Sequence, residues 1–210
     1  MPKISEEKRQ ARRDQILAAA WRCFARNGIH ATSMEEIIRE ADLSAGAVYL
    51  YYKGKEELIL AAIETYMSKL RGMLLPILMK EDPLPPGPFT FAITSAIASH
   101  TQQRGLDLNV IILMCWSEAQ SNAEVKKLVA GFQLKYREAL VRAVNIWQKQ
   151  GHLAKAAQPE VIGKALLSFF LGFIVQSALL GKIKPEEAAA GIAGLISHTK
   201  THNNHLMSRK

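Results

Sequence analysis

The stretch Thr32–Leu58, TSMEEIIREADLSAGAVYLYYKGKEEL, constrains the fold more than any other part of the chain. Ser33 followed three positions later by Glu36 is the reciprocal capping pair that opens a helix. That helix is short: Ile37, Ile38 and Ala41 form its apolar face, and Asp42-Leu43 leads into a turn. Ser44 then opens another short helix over about Ala45–Tyr51. Ile37, Ile38, Ala41, Leu43 and Val48 can form the small core that fixes the angle between the two. A short helix, a tight turn and a second helix with an exposed face are what reading a DNA major groove requires. Ala45, Gly46 and Ala47 have almost no side chain, so this helix can approach a partner closely. Ser33 and Ser44 offer hydroxyls and backbone amides to phosphates. Tyr49 and Tyr51 add phenolic donors, and Lys55 adds a charge at the start of the next helix. Spacing places Tyr52 in the core instead.

Order and spacing over about residues 12–60 resemble the DNA-binding domain of the TetR family of transcriptional regulators. The resemblance rests on Ser44-Ala45-Gly46-Ala47-Val48-Tyr49-Leu50-Tyr51-Tyr52, then Lys55-Glu56-Glu57-Leu58. Upstream, Ile16-Leu17, Ala20, Phe24, Asn27-Gly28, Thr32-Ser33 and Ile37 agree as well. The resemblance implies that Ser33, Ser44, Tyr49, Tyr51 and Lys55 contact the phosphate backbone. It also implies that Ala45, Gly46, Ala47, Tyr49 and Leu50 line the major groove. Leu50 departs from the aromatic or polar residue of many members; it either meets a thymine methyl or packs. Few side chains here suit bidentate base contacts, so sequence reading is expected to lean on Tyr49, small apolar contacts and DNA shape.

Around this stretch the pattern is helical throughout. A first helix is expected over about Glu6–Arg26, with Ile16, Ala20, Cys23 and Phe24 on one face and Asn27-Gly28 as its stop. A long helix begins near Lys55 and runs to about Met79. Glu81–Pro88 contains four prolines and a glycine and reads as a loop that no helix survives. Further helices are expected at about Phe89–Gln103, Leu108–Ser121, Ala123–Gln150, Pro159–Leu180 and Pro185–His202. Pro159 and Pro185 suit first-turn positions. No segment sustains the alternation of a half-buried strand. The expected fold is all-α, with a helix-turn-helix domain over residues 1–55 and a helical domain over 56–210.

Charge gives weaker guidance. The chain carries a formal +8, yet residues 1–60 hold ten Lys/Arg against nine Asp/Glu, a net of +1. DNA binding is therefore argued from the motif. Cys23 and Cys115 lie far apart in apolar stretches, which disfavours a zinc site or a disulfide and fits a cytoplasmic location. The charged N-terminus is not a secretory signal. Ala165–Gly181 falls short of a bilayer span and reads better as a helix buried on two sides. His198 and His202 have helical spacing without an accompanying carboxylate or thiol, and with His205 they read as part of a solvated tail. No metal, no cofactor and no membrane partner is expected. Recognisable motifs of phosphate-binding loops, serine hydrolases and zinc proteases are missing, so an enzyme is not expected.

By the resemblance, the C-terminal part binds a small molecule and dimerises. Pro159–Leu180 is apolar nearly all round from Ala165 onward, so a second buried face implies a partner subunit. Leu166, Phe170 and Ile174 there, with Ile192 and Leu195 of the last helix, are the expected homodimer contacts. Gly172 is expected to mark close helix approach. Met114, Trp116, Phe132, Tyr136, Phe169 and Phe173 are large side chains that either line an effector cavity or form core, as Phe89 and Trp147 also do. Cys115 and Gln176 supply the polar atoms. A mainly hydrophobic effector with one polar handle follows from so few charges. The whole reads as a ligand-responsive regulator, most simply a repressor released from operator DNA by its effector. The rival is a helical DNA-binding accessory factor without effector control.

Overall fold

The computed structural model describes residues 5–100, 102–103, 106–181 and 183–204, with side chains left aside at 100–108 and from 197 onward. Nine helices stand among these residues: α1 (Glu6–Asn27), α2 (Met34–Glu40), α3 (Ala45–Tyr49), α4 (Lys55–Leu78), α5 (Pro86–His100), α6 (Leu108–Ser121), α7 (Ala123–Lys149), α8 (Pro159–Leu179) and α9 (Pro185–Asn204). Between α5 and α6 lie two strands of two residues each, β1 (Gln102–Gln103) and β2 (Leu106–Asp107), which the sequence pattern does not announce. The protein is all-α.

The chain divides into two compact units, residues 1–69 with 103–129 and residues 70–102 with 130–210. This division differs from the boundary expected at residue 55: the first turns of α4, all of α6 and the start of α7 join the N-terminal helices.

In the first unit, local chemistry sets each helix end. The Ser5 hydroxyl accepts from the Lys8 amide at 3.4 Å, and Gly28 at φ 82° ends α1 with its amide on the Phe24 carbonyl. The capping box of α2 is complete, Glu36 N to Ser33 Oγ at 3.2 Å and Ser33 N to Glu36 Oε2 at 2.8 Å. Arg22 and Arg26 of α1 both reach Glu40 at the end of α2, at 2.6 and 2.7 Å. Gln15 donates to the Ala41 carbonyl at 2.7 Å. These bonds hold α1 against α2, above a core that includes Ile16, Phe24, Ile37, Val48, Leu58 and Ile63. Tyr52 is buried there, as its spacing predicts.

In the second unit, α5 begins at Pro86, inside the segment expected to exclude any helix. The reason is positional. Pro86 and Pro88 occupy the first turn, where amides have no intrahelical partner and a missing N–H costs nothing. The preceding residues are tied to α7: Arg142 donates to the Lys80 carbonyl at 3.0 Å, Gln150 to Asp82 at 2.6 Å, and Trp147 Nε1 to the Leu84 carbonyl at 2.8 Å. Trp147 meets Phe89 edge to face at 5.0 Å, so both are core. Helices α5 and α9 pack closely, Gly87 lying against Ala193.

Two features of α8 differ from what its sequence predicts for the single chain. Close approach falls at Gly163, where an added Cβ would lie 2.5 Å from Val141 Cγ2 of α7; at Gly172 nothing stands within 4 Å. Leu166, Phe170 and Ile174, expected at a subunit contact, are buried by the chain's own side chains in this unit's interior. The large apolar side chains that α8 leaves open are Val161 and, at its C-terminal end, Leu179, with Leu180 just beyond. By length and composition α8 could cross a bilayer, a test that core helices also pass.

Candidate nucleic-acid interface

The surface around α3 is built by caps and small residues. Ser44 Oγ accepts from the Ala47 amide at 3.3 Å, which fixes the first turn. Val48 points inward and is fully buried, which turns the opposite face of the same short helix outward. Ala45 and Gly46 on that face are exposed, Ala47 is half-buried, and no atom lies within 4 Å of where a Gly46 Cβ would stand. Tyr49 is 44% exposed and Leu50 75% exposed. Of the two readings of Leu50, packing is thereby excluded for the free chain: the side chain projects into solvent. Tyr51 is half-buried beside the buried Tyr52.

Ser33 and Ser44 have their oxygens engaged by backbone amides, which leaves each hydroxyl proton free to donate outward. Lys55 is half-buried and its ammonium is positioned, Nζ donating to the His30 carbonyl at 2.7 Å. Two of its three protons remain for a phosphate oxygen. Exposed Lys53, on the turn between α3 and α4, escaped the sequence reading; its signal was a cation two positions before Lys55. The arrangement presents hydroxyl, phenol and ammonium donors around a small-residue helix face. That is the pattern of backbone positioning around a groove-facing surface.

The proposed effector residues are shared between the two units. Met114, Cys115 and Trp116 lie on α6 in the first unit; Phe132 and Tyr136 lie on α7, and Phe169, Phe173 and Gln176 on α8, in the second. Cys115 is fully buried, and burial, helped by the Glu118 carboxylate, pushes its thiol up to about 12. Trp116 and Met114 are half-buried. Phe169, Phe173 and Gln176 line a cleft of ≈ 390 Å³ with Gly172 and, beyond α8, Ile183, Glu187 and Ala188. Phe132 is buried beneath the Arg71 guanidinium, 5.6 Å from its ring centre. The Tyr136 hydroxyl is buried without a hydrogen-bond partner. Burial raises its pKa to about 12, against a lowering effect of Arg71.

Of the expected dimer contacts outside α8, Ile192 is half-buried and Leu195 is 76% exposed. Sequence reasoning missed Glu118, a carboxylate only 5% exposed whose Oε2 lies 3.4 Å from His30 Nε2. The signal was present: Glu118 is the one charged residue of the apolar run that forms α6. Among the described residues no group of three or more His, Cys, Asp or Glu could hold a metal. The side chains of His198 and His202, and all of His205, lie outside the described residues.

Known proteins match both parts of the chain. Residues 16–62 match the model for bacterial regulatory proteins of the tetR family, and residues 92–199 match that for the C-terminal part of BetI-type transcriptional repressors. The HTH-type transcriptional regulator BetI of Rhizobium meliloti is 26% identical over 202 residues, covering 96% of this chain and 93% of that protein. YfiR of Bacillus subtilis, an uncharacterised HTH-type regulator, is 39% identical over 68 residues, and the match spans only 33% of YfiR. The structure of Salmonella enterica GusR superposes with a TM-score of 0.70 at 23% identity, covering 93% of this chain and 99% of that one. AibR, in complex with isovaleryl coenzyme A and operator DNA, superposes with a TM-score of 0.67 at 23% identity, covering 88% and 97%. A capped helix pair presenting an open α3 face, joined to a BetI-type C-terminal part, makes this chain a member of the TetR family and a DNA-binding transcriptional regulator.

Proposed function

We propose that the protein is a cytoplasmic, homodimeric repressor that leaves its operator when a small, mainly apolar effector binds. The observation that carries the reading is the exposed face of α3. Leu50 and Tyr49 stand open there among small residues, side by side at the end of the helix where a partner surface can meet them. Ser33, Ser44, Tyr51 and Lys55 would hold phosphates, while Ala45, Gly46, Ala47, Tyr49 and Leu50 would face base edges.

Dimerisation is supported by apolar side chains left open late in the chain. Leu179 and Leu180 at the end of α8 and Leu195 on α9 are each at least 70% exposed. A two-fold partner would cover apolar side chains of this kind. Effector control is supported by the cleft along α8 and by AibR, whose structure holds both an acyl coenzyme A and operator DNA. The effector acts by population shift: it binds more tightly to the dimer whose recognition helices do not fit consecutive major grooves.

The test uses an operator selected from random duplex DNA. The full-length protein should bind it as a dimer by solution mass, and an apolar compound that raises the melting temperature should release it. Operator binding that no stabilising compound alters would leave a DNA-binding factor without effector control.

A further inference from the structure

In the second unit, Arg71 is a half-buried cation lying over Phe132, and it makes no ion pair or side-chain hydrogen bond among the described residues. One helical turn along α7, Tyr136 carries a buried hydroxyl that likewise has no partner. Arg71 is the charged group whose field reaches that hydroxyl. A half-buried guanidinium without a protein acceptor and a buried hydroxyl without a partner therefore share one neighbourhood. Buried polar groups are almost always satisfied, so the Tyr136 hydroxyl asks for a missing partner, and the Arg71 cation beside it favours an anionic one.

We infer that Arg71 and Tyr136 together bind the carboxylate of an amphiphilic small molecule. This inference rests on the effector reading above and narrows it from an apolar compound to an anionic one. The donor inventory decides the class. A guanidinium has five donors and no acceptor, which excludes a cationic head group. The phenol, with its pKa raised to about 12, keeps its proton at neutral pH and also donates. The guanidinium carbon lies 5.6 Å from the Phe132 ring centre, and the in-plane fork of guanidinium donors matches a planar carboxylate. A phosphate would leave further oxygens unmet by this pair. Gln176, the polar handle expected from sequence, is exposed on α8.

The test titrates the full-length protein with a ladder of carboxylates from butyrate to palmitate, and with decanol and decyltrimethylammonium. Readouts are calorimetry and release of the selected operator. A carboxylate should bind at least about tenfold more tightly than decanol, and the ammonium should bind more weakly than either. Arg71→Met should weaken carboxylate binding by about ten- to a hundredfold and leave decanol binding unchanged. Tyr136→Phe should weaken it by about three- to tenfold, and should not lower the melting temperature of the free protein, because it removes only an unpartnered group. Should Arg71→Met fail to fold, Tyr136→Phe carries the test. Equal binding of alcohol and carboxylate, or loss of both alike in the variants, overturns the carboxylate site and leaves effector control standing. Failure of every probe to bind or release DNA overturns both.

Discussion

The same substitution at two glycines of α8 should change stability in opposite directions. Replacing a mid-helix glycine with alanine gains about 0.5–1 kcal/mol from reduced backbone entropy of the unfolded chain. At Gly172 nothing lies within 4 Å of the new methyl, so Gly172→Ala should keep that gain. At Gly163 the methyl would sit 2.5 Å from Val141 Cγ2 and 3.2 and 3.3 Å from the Val141 backbone nitrogen and Cα. The valine is β-branched and in a helix, so it has no free rotamer to retreat into, and the backbone cannot move without shifting α7. Overpacking of this kind costs about 1–3 kcal/mol, which exceeds the propensity gain. Gly163→Ala should therefore lose about 0.5–2 kcal/mol net. For a chain of this length each kcal/mol moves Tm by about 2–4 °C. Scanning calorimetry at one fixed protomer concentration should show Gly172→Ala melting above the parent and Gly163→Ala below it. Val141→Ala added to Gly163→Ala should cost less than the two singles summed, since the side-chain clash is shared. A Gly163→Ala protein as stable as the parent would refute the close α7–α8 contact.

Three further outcomes follow from particular side chains. Lys55→Ala should weaken binding to all duplexes about equally and reduce the salt slope by about one per protomer, measured by anisotropy at several ionic strengths; a change of sequence preference with the slope intact would contradict a phosphate role. Hydrogen bonds from Arg22 and Arg26 hold the Glu40 carboxyl below the usual carboxylate range, so its contribution is present at neutral pH and lost as pH falls through that lowered value. The acid-unfolding profile of Glu40→Gln should be flatter there than the parent's, and an identical profile would remove this pair of contacts from the account. Leu180→Lys with Leu195→Lys should shift the solution mass toward the protomer without lowering the protomer's helicity; an unchanged dimer would place the interface elsewhere.

What was legible in the chain followed the range of the forces involved. Ser33 with Glu36, Ser44 and Gly28 act within a turn of helix, and the helix ends they imply stand where expected. Tyr52 was assignable because a single inward face of the short helices fixes its phase. The long helix α8 resisted for the opposite reason. A run apolar nearly all round has no preferred phase, so Leu166, Phe170 and Ile174 could not be told from outward positions by spacing. The start of α5 was hidden by reading prolines as breakers at positions where a helix tolerates them. Arg71 over Phe132, and Glu118 beside His30, join residues distant in the chain; local pattern carries no information about such pairs.

The central claim is that α3 reads DNA. Binding-site selection from a random duplex library with the parent protein and with Leu50→Gln tests it most directly, because Leu50 is exposed and its replacement costs the fold little. The parent should enrich a two-fold symmetric site bound about 1,000-fold or more tighter than random duplex at the same salt. Leu50→Gln should change the preferred base at one position of each half-site while leaving the salt slope unchanged. Enrichment of no sequence, or of one that Leu50→Gln leaves untouched, would contradict the assignment of this face to the major groove.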